Sequence, residues 1–346
     1  MQNKTQKIVG YWLLLGAFLV IAMLVIGGIT RLTHSGLSIV AWKPISGIVP
    51  PLNLAEWNTE FNNYKTSPEY IKYNYHYSLE DFKSIFWWEF IHRFIGRVIG
   101  FIFLFPFLWF YFTKKLQDKK LRKHLIVIFL LGGLQGFIGW FMVKSGLVNR
   151  PSVSHYRLAL HLSTALFLVA YILWTALPIL SPISKKLNFH PKLYSKLKIM
   201  LGLVSIQIVY GAFTAGLKAG YIYTTYPKMG PDWLPDTGIK AFQNLGFMAF
   251  FENPILVQFI HRWFAALVLF YFVKFYLSAR KLGLSPIQTH CNNALMLFLA
   301  VQITLGIFTL INAVPVTLGV LHQLGAVILL ATLIVALYFY KDTKNV

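Results

Sequence analysis

Four histidines stand where the chain is otherwise apolar: His92, His161, His261 and His322, each near the start of an even-numbered hydrophobic run. An ionisable side chain inside lipid is costly and rare, which makes a functional role the default. A single histidine in such a place is more often structural, but four in matching register point to ligation. Two imidazoles delivered from facing helices are a standard axial pair for the iron of a porphyrin. The spacing therefore predicts two bis-histidine haem sites, His92 with His161 and His261 with His322. The other histidines, His34, His76, His124, His155, His190 and His290, fall in loops or at helix ends and are read as solvated or interfacial.

One turn past each of the four, on the same helix face, comes a small residue: Gly96, Ala165, Ala265 and Ala326. Such a gap suits a flat macrocycle. Small residues also line ordinary membrane helix interfaces, so recurrence at all four positions is what favours a cofactor. Arg93 and Arg262 each follow a histidine directly and are candidate bidentate partners for porphyrin propionates; snorkelling to the outer headgroups is the alternative. Three residues before the histidine, Glu89 in the first half is answered by Gln258 in the second. A carboxylate one turn from an iron ligand can move protons or stabilise developing positive charge, which an amide cannot. The first half is therefore predicted to transform its haem and the second to keep a permanent one for electron transfer or structure. The alternative for Glu89 is a local ion pair with Arg93 at i+4. Arg97 and Arg157 are lopsided in the same way, corresponding to Ala266 and Leu318.

The elements that must carry these residues follow from composition. The 346 residues are 57% hydrophobic and 12% charged, against roughly a quarter charged in soluble domains. Apolar runs long enough to span a bilayer fall at about 8–29, 88–112, 124–143, 158–178, 197–217, 254–277, 291–311 and 318–340, which predicts eight transmembrane helices. The net charge of +21 comes from lysines and arginines clustered in short segments at 113–124, 184–198 and 278–284. That is the pattern of membrane orientation rather than of nucleic-acid binding, and it puts both termini in the cytoplasm. Glu56, Glu60, Glu69, Glu80, Asp81, Glu89, Asp232, Asp236 and Glu252 then lie on the outer side, leaving Asp118 and Asp342 inside. The first run follows a short polar start and is read as a retained helix. The loop from Arg31 to about Trp87 is the one long polar excursion, and Trp42, Trp57, Phe61, Tyr64, Trp87 and Trp88 in it argue for a folded interfacial cap. A single cysteine, Cys291, excludes an internal disulfide and a CxxC pair.

The chain repeats itself. EFIHRFIGRVIG (89–100) reappears as QFIHRWFAALV (258–268), and ALHLSTA (159–165) is answered by VLHQLGA (320–326) at nearly the same offset. An even number of spans per half gives both halves one orientation. The expected fold is an all-α membrane protein, eight helices in two tandem parallel-repeat four-helix bundles, with halves 1–180, including the outer loop 31–87, and 181–346. All four histidines then lie at one depth, near the outer surface.

With these residues assembled, the chain resembles the haem A synthase family over nearly its whole length. The resemblance is carried by GGITRLTHSGLSIVAWKPISGIVPP (27–51), FWWEFIHRFIGRVIG (86–100), GGLQGFIGWFMVKSGL (132–147), RLALHL (157–162), GAFTAGLKAGYIYTTYPKMG (211–230), FFENPILVQFIHRW (250–263) and LHQLGA (321–326). It implies an oxidoreductase of the cell's inner membrane that converts the C8 methyl group of haem O to the formyl group of haem A by two successive hydroxylations, with loss of water from the gem-diol. It also implies that His92 and His161 flank the haem O substrate, that His261 and His322 bind haem b as cofactor, and that Glu89 is the acid needed for oxidation. The implied partners are haem O synthase and cytochrome oxidase assembly; the electron donor is open, as is a homo-oligomer. The cysteine pair of some bacterial relatives is missing, so the chain is similar to the longer-looped mitochondrial and proteobacterial type. Many relatives have an acidic residue where this chain has His34. A second reading is a bis-histidine membrane cytochrome acting only in electron transfer, disfavoured because haems stacked at different depths would serve it better. A third, a haem transporter or assembly factor, is disfavoured by the parallel repeat and by Glu89. Glu56, Glu60 and Glu80 stand as auxiliary carboxylates.

Overall fold

The structure is a computed structural model describing residues 4–43, 46–148, 151–183 and 187–342. The first residues of the N-terminal segment and residues 184–186 of the second basic loop lie outside the described residues. Among those described, the chain is all-helical, with no β-strand. Eight helices are long and apolar enough to cross a membrane: α1 (Lys4–Leu32), α3 (Leu79–Phe112), α4 (Lys119–Lys144), α5 (His155–Leu180), α6 (Pro191–Gly216), α9 (Pro254–Ala279), α10 (Pro286–Ile311) and α11 (Val316–Tyr340). The short helices α2 (Leu54–Lys65), α7 (Asp236–Leu245) and α8 (Ala249–Glu252) lie in the two long connections between them. Each predicted span is found as a helix. Contacts divide the chain into two compact units, Leu19–Ala165, and Met1–Phe18 with Leu166–Val346.

Local sequence explains where the helices begin. Ser78 and Asp81 form a capping box at the start of α3, and Ser285 and Gln288 form another at α10, where Pro286 follows at the first helical position. Asp118 caps α4, accepting from the amides of Lys120 and Leu121, and Asn253 caps α9 ahead of Pro254. Each device satisfies amide groups that have no partner within the helix. Large apolar side chains such as Phe18, Phe105 and Leu130 are exposed along the spans, as a surface solvated by lipid tails requires.

The first long connection differs in one respect from expectation. α3 begins at Leu79, so it runs 34 residues, about 50 Å, where ~20 residues suffice to span. Its first turns leave the apolar layer and pack against α2. Phe61, Tyr64, Phe82, Ile85, Phe86 and Phe90 form a buried cluster, with Trp57 against its edge. The Phe61 and Tyr64 rings stack on Phe82 at centroid distances of 5.2 and 5.3 Å, and Trp57 meets Phe86 edge-on at 5.0 Å. Burial, then the nearby Glu69 carboxylate, push the Tyr64 phenol above its usual range. The aromatic cap read from the sequence is therefore folded, although Trp42, Trp87 and Trp88 remain substantially exposed. The second long connection, between α6 and α9, carries α7 and α8. The hydrophobic-run reading left it without helices because they are too short to span. Ile239, Phe242 and Leu245 are exposed on α7.

Candidate functional site

Each of the four histidines is placed by a glycine on the preceding long helix. A Cβ added to Gly27 on α1 would lie 3.1 Å from Nε2 of His92 on α3. On Gly139 of α4 it would lie 3.1 Å from Cε1 of His161, on Gly211 of α6 3.2 Å from Cε1 of His261, and on Gly306 of α10 2.8 Å from Cε1 of His322. At Gly306 a methyl group would force the His322 ring to move, and at the other three the imidazole would have to give by a few tenths of an ångström, so glycine lets backbone and ring come this close without displacement. Three rings present Cε1 to their glycine and His92 presents Nε2.

The helix pairs are joined at the same level by side chains that donate to backbone carbonyls. Gln135 Nε2 donates to the carbonyl of His161 at 2.8 Å, and Gln207 Nε2 to that of His261 at 2.9 Å. Thr30 Oγ1 donates to the Trp88 carbonyl at 3.3 Å, and Thr309 Oγ1 to that of Leu318 at 3.1 Å. In α4, α6 and α10 the glycine follows a glutamine by one turn, as Gln135 and Gly139, Gln207 and Gly211, and Gln302 and Gly306. In α1 the matching residue before Gly27 is Met23, whose methyl group lies where a Cβ on Gly96 would touch it. Sequence reasoning missed these glycines and glutamines; the repeated Gln-x3-Gly spacing is the signal that could have found them.

His92 and His161 lie within electrostatic range of each other, as do His261 and His322. The Nδ1 atom of His161 is buried and makes no hydrogen bond, while the imidazoles of His261 and His322 lie beside the backbone of Gln207 and Gln302. A buried polar atom left without a partner needs an explanation, and a ring held for ligation supplies one. Among the described residues no three histidine, cysteine or carboxylate side chains cluster, so an ion without its own ligands lacks a donor set. Paired imidazoles suit iron inside a macrocycle that brings four nitrogens of its own.

Glu89 is buried, 3% exposed, and fully engaged. Its Oε1 accepts from Arg93 Nη2 at 2.6 Å; its Oε2 accepts from Ser38 Oγ at 2.7 Å and from the Ile39 amide at 2.9 Å. The ion pair weighed as the local alternative is present, but the carboxylate also gathers the segment after α1. Arg93 strengthens that closure by donating to the Ile39 carbonyl at 3.0 Å, and Arg97 by donating to the Lys43 carbonyl at 2.9 Å. Three donors thus fix both oxygens of one buried carboxylate. Arg157 donates to the Phe141 carbonyl at 2.7 Å.

Gln258, 2% exposed, stands in the corresponding place and makes a neutral version of the contact, donating to the Tyr223 carbonyl at 3.0 Å. Arg262 donates to the carbonyls of Tyr223 and Thr225, both at 2.7 Å, and to that of Lys228 at 3.1 Å. Its Nε is buried without a partner. Both candidate propionate arginines thus hold the loop over their helix, and Arg262 keeps a donor in reserve. Of the i+4 residues, Gly96 is exposed whereas Ala165 is packed away. The carboxylates of the first long connection serve structure: Glu56 accepts from the Leu52 amide, Glu60 pairs with Lys43 at 2.9 Å and Glu80 with Lys83 at 2.6 Å.

Residues 10–334 match the sequence model of a family described as cytochrome oxidase assembly protein, COX15-CtaA. The chain is 45% identical over 331 residues to a protein of Flavobacterium psychrophilum named heme A synthase, covering 95% of this chain and 97% of that one. It is 46% identical over 325 residues to the heme A synthase of Rhizorhabdus wittichii, covering 93% and 91%. With that of Nitrosospira multiformis it shares 45% identity over 327 residues, covering 94% and 91%.

Proposed function

The chain belongs to the COX15-CtaA family of cytochrome oxidase assembly proteins, and from that premise we propose that it is a haem A synthase, a multi-pass enzyme that oxidises the C8 methyl group of haem O to a formyl group. In this reading His92 and His161 hold the haem O substrate, while His261 and His322 hold haem b. The halves 1–180 and 181–346 are a parallel duplication, set in the inner membrane with both termini in the cytoplasm. Haem b supplies one-electron chemistry when bound.

The observation that carries the reading is the difference between Glu89 and Gln258 at equivalent places beside a histidine. Glu89 places a carboxylate one turn from His92, a group able to stabilise positive charge developing on the substrate and to accept a proton leaving it. Ser38, the Ile39 amide and Arg93 set the position of that charge. Gln258 fixes its loop without a charge, as a site for a permanent cofactor needs. Two successive two-electron oxidations at one carbon, each adding one hydroxyl oxygen at the expense of an external oxidant, then loss of water from the gem-diol, give the aldehyde. Haem O synthase upstream and cytochrome oxidase assembly downstream are the partners this chemistry requires. The bis-histidine electron carrier is disfavoured, since it gives Glu89 no task.

Pigments extracted from membranes supplied with haem O test this. The intact chain should yield haem A alongside haem b, and Glu89→Ala should keep haem b and lose haem A. An unchanged haem A yield in that variant removes Glu89 from the mechanism, and haem b without any haem A in the intact chain removes the enzyme.

A further inference from the structure

At the end of the molecule that carries the basic segments, the start of α6 and the end of α9 enclose a groove of about 740 Å³. Lys192 and Lys196 enter it from α6, Lys274 and Lys281 from α9 and the residues just after it, and no carboxylate lines it. Among the described residues none of these lysines takes part in an ion pair. Lys196 Nζ donates to Ser278 Oγ at 3.0 Å, which fixes one ammonium at the junction of the two helices. α6 opens with Pro191, which has no amide hydrogen, and without a side-chain cap from His190, so the amides of Lys192 and Leu193 are the ones it turns towards an anion.

The other wall is apolar and faces lipid. Phe270, Val273 and Leu277 share one face of α9 with Lys274 by helical spacing, and Lys281 follows just past the end of the helix. Phe270 is 65% and Leu277 54% exposed. A stripe of hydrocarbon-facing residues thus leads directly into a cluster of positive charge. We propose that this groove binds an anionic phospholipid, the phosphate held by the four lysines and the α6 amides, one acyl chain lying along Phe270 and Leu277. Free phosphate would use the charge but leave the apolar wall idle. Orientation alone needs lysines at this end, but not gathered round one concavity with an apolar exit.

The test uses the full-length protein purified in detergent, loaded with phosphatidylglycerol or phosphatidylcholine and examined by native mass spectrometry. The intact chain should retain phosphatidylglycerol in preference to phosphatidylcholine. The variant Lys192→Gln, Lys196→Gln, Lys274→Gln, Lys281→Gln should lose that preference, at about fivefold per lysine, the factor that ~1 kcal/mol represents. The control variant Lys114→Gln, Lys115→Gln, Lys119→Gln, Lys120→Gln removes equal charge at the same end and should retain it. Should the fourfold groove variant fail to accumulate, Lys196→Gln and Lys281→Gln alone should each show their share of the loss. Equal loss in the control, full retention in the groove variants, or displacement of the lipid by excess inorganic phosphate would each overturn the proposal.

Discussion

Ser38 donates to the Glu89 carboxylate at 2.7 Å across 51 residues of chain, so the segment leaving α1 is latched onto the buried charge one turn from His92. A hydrogen bond to a charged acceptor is worth ~1.5–3 kcal/mol. Ser38→Ala should lower thermal stability by that order and reduce haem A yield while leaving the haem b spectrum intact. Unchanged stability and yield together would show that the hydroxyl does not hold the carboxylate.

Gly306→Ala places a methyl group where the His322 ring now lies, at 2.8 Å. The ring is the movable partner, so the ligand is what shifts. The b-type absorption of the reduced protein should weaken or move. Gly139→Ala, acting on His161, should spare that absorption and reduce haem A formation. If both substitutions affect the same pigment, the assignment of the two histidine pairs is wrong.

Glu89→Gln makes the first pair imitate the second while keeping size and burial. The Ile39 amide and Ser38 then face a neutral oxygen, and Arg93 loses its counter-charge. Haem A should fall at least tenfold, the factor that ~1.4 kcal/mol represents, with haem b unaffected in extracted pigments. A yield within twofold of the intact chain would mean that charge at this position is dispensable.

Arg262→Gln removes donors to three carbonyls of the segment between α6 and α7. The loop should become the first site cut by protease added to the purified protein, with haem b released more readily on dilution in detergent. Protection equal to that of the intact chain would leave the arginine no part in holding the loop.

Phe82→Ala empties the centre of the aromatic cap, where the ring is fully buried, at ~3–5 kcal/mol. α2 should detach and be cleaved, while α9 and α11 keep haem b. Loss of haem b in this variant would show that the cap supports far more than its own segment.

How much of this was legible beforehand depended on the kind of signal. The eight spans were, because lipid imposes length and apolarity on every one of them. The four histidines stood out because they recur in matching register, where one alone would read as structural. The extension of α3 back to Leu79 was missed because LEDFKS reads as polar in a search for apolar spans, although Ser78 and Asp81 mark a helix start there and the turn packs under Tyr64 and Phe61. Gly27, Gly139, Gly211 and Gly306 were hidden because glycine is common in membrane helices; its meaning appears only when an imidazole lies against it. The role of Ser38 was unreadable, since nothing local marks a serine so far along the chain from Glu89 as its partner. Arg93 and Arg262 were recognised as important, but their loop carbonyls were out of view because backbone partners leave no trace in side-chain pattern.

The bonds from Thr30, Gln135, Gln207 and Thr309 to carbonyls on the adjoining helix have a mechanical consequence. Bilayers differ in thickness, and a spanning helix answers mismatch by tilting or sliding against its neighbours. A hydrogen bond to a carbonyl at or one turn before the histidine acts as a peg against sliding, because a shift of one residue rise, about 1.5 Å, would break it. The bonds from Gln135 and Gln207 sit at the level of the His161 and His261 imidazoles, whereas those from Thr30 and Thr309 tie the last turns of α1 and α10. The depth of His161 and His261 is thereby held directly against their neighbouring helices, and that of His92 and His322 through the turn before them.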